Sequence, residues 1–161
     1  MVLKLGDINQ PEANLSCALT MLCAISGRSP DEMGLLMQQV CADDGRHVEL
    51  RRPDYAPADW LEAIKRLGGV IAGTNEHGNK PYEQRPTIDQ WIASTTDTGL
   101  IVIVTDDGKV GGEAHVFAIE NGNIVDTYTG GKVIKFTGSP LVAQRVVKAF
   151  KIENAPAPIK Q

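Results

Sequence analysis

Segment 15–26 (LSCALTMLCAIS) carries apolar side chains on several faces at helical spacing. That pattern predicts a helix buried all round, with Gly27 as its stop. Ser29-Pro30-Asp31-Glu32 is a capping box with proline at the first helical position, which predicts a second helix running to about Cys41. Pro57 opens a third helix, 57–67, that Gly68-Gly69 ends. Thr87 and Gln90 form another box before a short helix holding Trp91 and Ile92. Trp60 and Trp91 are expected to face the core.

The period then changes. Leu100 to Thr105 (LIVIVT) is an unbroken, branched apolar run, as expected of a strand covered on both faces. Strands are predicted at 115–120 and 123–128, on either side of the two-residue turn Asn121-Gly122. Gly130-Gly131 turns the chain into a strand at 132–136, and 144–152 reads as a closing strand. Segment 73–86 (GTNEHGNKPYEQRP) reads as a long polar connection, either a lid or plain surface. Helices followed by an antiparallel meander predict an α+β fold, with N-terminal helices packed on a C-terminal antiparallel sheet. The 161 residues fit one domain over 1–153, and the proline-bearing tail 154–161 is expected to be disordered.

Composition narrows the function classes. With 42% hydrophobic and 22% charged residues, the chain has the make-up of a soluble globular protein. Its net charge is −4 and it has no basic run, so a nucleic-acid partner is not expected. Asp43-Asp44 and Asp106-Asp107 read as solvated turns. No stretch approaches the ~20 apolar residues of a membrane span. The first ten residues lack the apolar core of a signal peptide, so the expected location is cytoplasmic, with delivery by a secretion machine or a virus left open. Three cysteines without CxxC spacing make neither a disulfide framework nor a zinc cluster. Phosphate-loop, GxSxG and HExxH motifs are absent.

One cysteine stands apart. Cys17 falls at the start of the first helix, where the dipole and unpaired backbone N–H groups stabilise a thiolate. Its own N–H is placed to donate to a developing oxyanion. Cys23 lies six residues on, ~600° around the axis, and reads as core. Cys41, at a helix end beside two acids, reads as structural. His115 begins one strand of the hairpin, and Asp126 lies near the end of the other, within diagonal reach. An acceptor there fixes the imidazole tautomer and holds the ring toward a thiol. His47 and His77 read as solvated, and Gly111-Gly112 as a flexible hairpin loop or a cleft wall. A metal site built from Cys17, His115 and Asp126 would lack a remaining ligand.

A cysteine at an early helix start, a histidine on a strand (Ala114-His115-Val116-Phe117-Ala118-Ile119) and an acid eleven positions later resemble the papain-like cysteine peptidase and amidase superfamily. The nearest shape is that of compact bacterial and phage members, such as bacteriocin-processing peptidases and cell-wall amidases. The resemblance spans about residues 9–136 in order of elements. It implies a Cys–His–Asp hydrolase cleaving an amide or isopeptide of a peptide, protein or cell-wall substrate through a thioester, with no cofactor and no metal. It also implies a second oxyanion donor some six residues before the nucleophile; Gln10 is seven before and Asn14 three before. Ala18 stands where many members have glycine or tryptophan. The other reading is a binding module or inhibitor that keeps the fold without the chemistry.

Overall fold

The computed structural model describes residues 16–46, 55–96, 99–106, 114–126, 132–138 and 143–153. The first helix, α1, is Cys17–Ser26, with Ser16 as its N-cap and Gly27 as its left-handed C-cap at φ 69°. Every residue of α1 after Cys17 is buried, as its all-round apolar pattern requires. The helix α2, Pro30–Asp43, opens on the expected capping box, with the Ser29 side chain and the Glu32 backbone and carboxylate bonded reciprocally. α3 is Pro57–Arg66, and α4 is Ile88–Ser94 behind the Thr87–Gln90 box.

Among the described residues six strands form one antiparallel sheet: β1 (Val70–Glu76), β2 (Leu100–Asp106), β3 (His115–Glu120), β4 (Asn123–Val125), β5 (Ile134–Lys135) and β6 (Arg145–Glu153). Their order across the sheet is β1-β6-β2-β3-β4-β5. The architecture is α+β, with β2 to β5 as the expected meander. Its chirality at the tight turn comes from Asn121 (φ 49°) and Gly122 (φ 79°), the two positive φ values that a type I′ hairpin needs.

Four expectations change. Segment 73–86 is not all connection: β1 occupies Val70–Glu76 and pairs with β6, and a 3₁₀ turn spans Tyr82–Gln84. All seven residues of β1 are exposed, so the strand carries no alternation to reveal it. Of the strand expected over 123–128, Asn123–Val125 is strand, while 127 and 128 lie outside the described residues; that expected over 132–136 is reduced to Ile134–Lys135 before a 3₁₀ turn at Phe136–Gly138. Finally, β6 does not extend the meander. It crosses back to lie between β2 and β1. The tail 154–161, His47, Asp107 and the pairs Gly111-Gly112 and Gly130-Gly131 fall outside the described residues.

Each face of the sheet buries a core. Leu100, Val102 and Val104 of β2 meet α1, α2 and α3, together with Trp60, Phe150, Cys23 and Cys41. Ile101 and Ile103 point the other way, onto Ile88 and Trp91 of α4, with Phe117, Ile119 and Ile124. Strand β2 is therefore apolar throughout because both of its faces are covered. Among the described residues no helix is long and apolar enough to cross a membrane.

Candidate active site

Helix α1 brings Cys17 to one end of the sheet, where β2 ends and β3 begins. The Ser16 hydroxyl accepts the Leu19 N–H at 3.1 Å, and the Ser16 carbonyl accepts both the Thr20 N–H and the Thr20 hydroxyl at 2.9 Å. This cap takes the third helical N–H and leaves those of Cys17 and Ala18 outside it. The nucleophile candidate thus stands on a rigid, buried helix end, itself half-buried.

The hairpin supplies the partners. Ala118 pairs with Val125 and Glu120 with Asn123, so Asp126 follows directly on the last ladder residue and lies diagonal to His115. The Asp126 carboxylate is fully buried, and its Oδ1 lies 2.9 Å from His115 Nε2. The His115 ring stacks on buried Phe117, two residues on along the same face, with centroids 6.1 Å apart and planes 29° apart. The Cys17 thiol is hydrogen-bonded to His115. With Nε2 on Asp126, Nδ1 is the nitrogen left for the thiol.

One contact has no signature in side-chain chemistry. The Val116 backbone N–H donates to the Cys17 sulfur. The pairings at 118 and 120 turn the backbone groups of even-numbered β3 residues toward β4. Val116 is the next such residue beyond the described ladder pairs, and its N–H goes to the sulfur. Sequence patterning registers side chains, and this donor belongs to whichever residue occupies the position.

These contacts set the titration of the pair. Burial alone raises the Cys17 thiol, but the His115 hydrogen bond, the Val116 N–H and the His115 charge outweigh burial and the opposing Asp126 charge. The thiol is held below its ordinary 9.0. For His115, burial pushes down and is overcome by the Asp126 and Cys17 hydrogen bonds and both charges, which push the imidazole up to about 9. A lowered thiol beside a raised imidazole is an arrangement that favours the thiolate–imidazolium pair.

The other candidates sort themselves by burial. Cys23 and Cys41 are core residues, 4% and 0% exposed. Trp60 and Trp91 are buried on opposite faces of the sheet. His77 is half-buried rather than solvated; burial first, then the Lys80 charge, lowers its imidazole against the pull of Glu76. Asp106 ends β2 within 3.8 Å of Arg85, and Asp43 ends α2 in an ion pair with Arg66 at 2.7 Å. The oxyanion candidates Gln10 and Asn14 lie outside the described residues. Among the described residues no group of three or more His, Cys, Asp or Glu is placed to hold a metal ion. An apolar cavity of about 430 Å³ between α3 and β1, lined by Leu61, Val70, Ile71 and Phe150, opens at the other end of the sheet. It is remote from Cys17.

The site therefore rests on its own geometry: no family model, no curated protein and no solved structure matches this chain.

Proposed function

We propose that this chain is a papain-like thiol hydrolase that cleaves an amide or isopeptide bond of a peptide, protein or cell-wall substrate. The observation that carries the reading is the junction at His115, whose ring bonds Cys17 at a helix start on one side and buried Asp126 at 2.9 Å on the other. A thiol beneath one nitrogen and a fully buried carboxylate on the other make a proton relay of the kind that activates nucleophiles.

In this reading His115 holds the Cys17 proton on Nδ1, and the thiolate attacks the substrate carbonyl. The carbonyl oxygen, now negative, accepts the Cys17 N–H at the positive end of α1, with Gln10 or Asn14 as second donor. The C–N bond then breaks, and the leaving amine takes the proton from His115. A thioester remains on Cys17. His115 next removes a proton from water, the resulting hydroxide attacks the thioester, and the thiol leaves as its proton returns. Asp126 keeps the ring in one tautomer through both halves. The chemistry needs no metal and no cofactor, and the substrate is a peptide or protein reached without nucleic acid or membrane, in the cytoplasm or after delivery.

Iodoacetamide labelling of Cys17 against pH, read by mass spectrometry, tests this. Activation predicts a labelling midpoint well below the ~8.5 of a free cysteine. His115→Ala should then slow labelling at pH 7 by about tenfold, as one unit of thiol pKa implies. Slow labelling in the unmodified protein, with no change in His115→Ala, would leave the non-catalytic binding module as the better account.

A further inference from the structure

Thr105 breaks the pattern of its strand. Residues 100–104 of β2 are all apolar, whereas Thr105 is fully buried and carries a hydroxyl. Valine would fill the same space with no polar group to satisfy, so a hydroxyl retained there calls for a physical reason. Its oxygen lies 2.6 Å from Gln144 Oε1 and 3.4 Å from the His115 carbonyl oxygen. One proton serves both acceptors, and the short arm to Gln144 dominates.

The position gives the reason. Thr105 sits directly opposite His115 in the β2–β3 ladder. It also sits opposite Val146 at the step where the β2–β6 ladder shifts register. Irregular steps of this kind re-aim neighbouring side chains and occur next to sites. Gln144 is anchored in turn, since its carbonyl accepts the Ile88 N–H of α4 at 3.0 Å. Thr105 thus links the first residue of β3, its ladder partner, to the residue before β6, the main acceptor of its hydroxyl, across the sheet end that presents Cys17.

We propose that Thr105, held by Gln144, is a positioning residue that fixes the start of β3 so that the His115 ring meets Cys17 and Asp126 together. The inference rests on the thiol-hydrolase reading. Both ring partners are on opposite nitrogens, so a small shift of the His115 backbone lengthens at least one of the two bonds. Misplacement by about 1 Å costs up to about a hundredfold in comparable sites.

The test is the same pH-dependent labelling of Cys17, applied to Thr105→Val, Thr105→Ser and Gln144→Leu, with thermal melts alongside. Thr105→Val should move the midpoint up by roughly half to one pH unit, a fall of about three- to tenfold in rate at pH 7. Thr105→Ser should restore the unmodified profile, and Gln144→Leu should reproduce the loss. If Thr105→Val does not fold, Gln144→Leu carries the test, because that side chain is only half-buried. Unmodified midpoints in both Thr105→Val and Gln144→Leu, whatever their melting temperatures, would overturn the role of Thr105 alone. An ordinary midpoint in the parent protein would overturn the thiol-hydrolase reading and this role with it.

Discussion

A carboxylate with no exposed surface is unfavourable unless a donor or a positive charge meets it, and Asp126 meets His115 Nε2 at 2.9 Å. The sign of the linkage follows from the imidazole, raised from 6.5 to about 9 in the folded protein. Its contribution to stability is fully present below pH 6.5 and is lost as pH rises through about 9. The thiol works in the opposite direction: lowered from 9.0, its contribution is present above 9.0 and is lost as pH falls through the lowered value. The pair is charged between the two, so under the proposed thiol-hydrolase reading turnover should rise with thiolate formation and fall again as His115 deprotonates near 9. Asp126→Ala removes the strongest upward influence on the ring. Its imidazole titration, followed by NMR, should move down from about 9 toward the ordinary value. Denaturant unfolding of the same variant should show a loss of about 2 kcal/mol at pH 6 that shrinks by pH 9.5. An imidazole still titrating near 9 in Asp126→Ala would remove the carboxylate from the relay.

At the scale of elements, caps decide which helices are legible. The boxes at Ser29 and Thr87, the proline starts and the glycine stop at Gly27 all stand where their chemistry places them. The cap of α1 has the larger consequence, because the residue after it is Cys17. Ser16→Ala should cost about 1 kcal/mol in urea unfolding. It should also fray the helix start enough to raise the Cys17 labelling midpoint, whereas Ser29→Ala, with the same kind of cap lost, should leave that midpoint alone. Equal midpoints in the two variants would separate the α1 cap from the site. Strand β1 shows the opposite case. With seven exposed residues and Gly73 within it, β1 has no alternation and only the three apolar residues 70–72, and it exists because β6 offers an edge to pair with. Local sequence carries no record of a partner some 75 positions away.

At the scale of the whole molecule, two cores grip one sheet, and the site stands at the sheet end where the start of α1 meets the start of β3. Trp60 of α3, 1% exposed, packs edge-on against Phe150 of β6 with centroids 5.5 Å apart. Trp60→Ala should cost about 3–5 kcal/mol, a large share of the ~5–15 kcal/mol that holds such a domain folded. The folded fraction should nonetheless keep its Cys17 labelling midpoint, since Trp60 packs on Phe150, whose ladder partner is Val102 rather than a residue at the His115 end; a shifted midpoint would show that the core tunes the site directly. The sequence by itself determined the helices, the doubly covered strand β2 and the Asn121-Gly122 turn, and it singled out Cys17, His115 and Asp126 as candidates. All of these are written in short-range terms: a cap, a run of one period, a turn, a fixed offset across a hairpin. Only the tertiary structure decided that β6 returns between β1 and β2, that the Val116 N–H reaches the sulfur, and that the Thr105 hydroxyl lies between Gln144 Oε1 and the His115 carbonyl. Those depend on backbone direction and on residues far apart in the chain, and a linear pattern of side chains encodes neither.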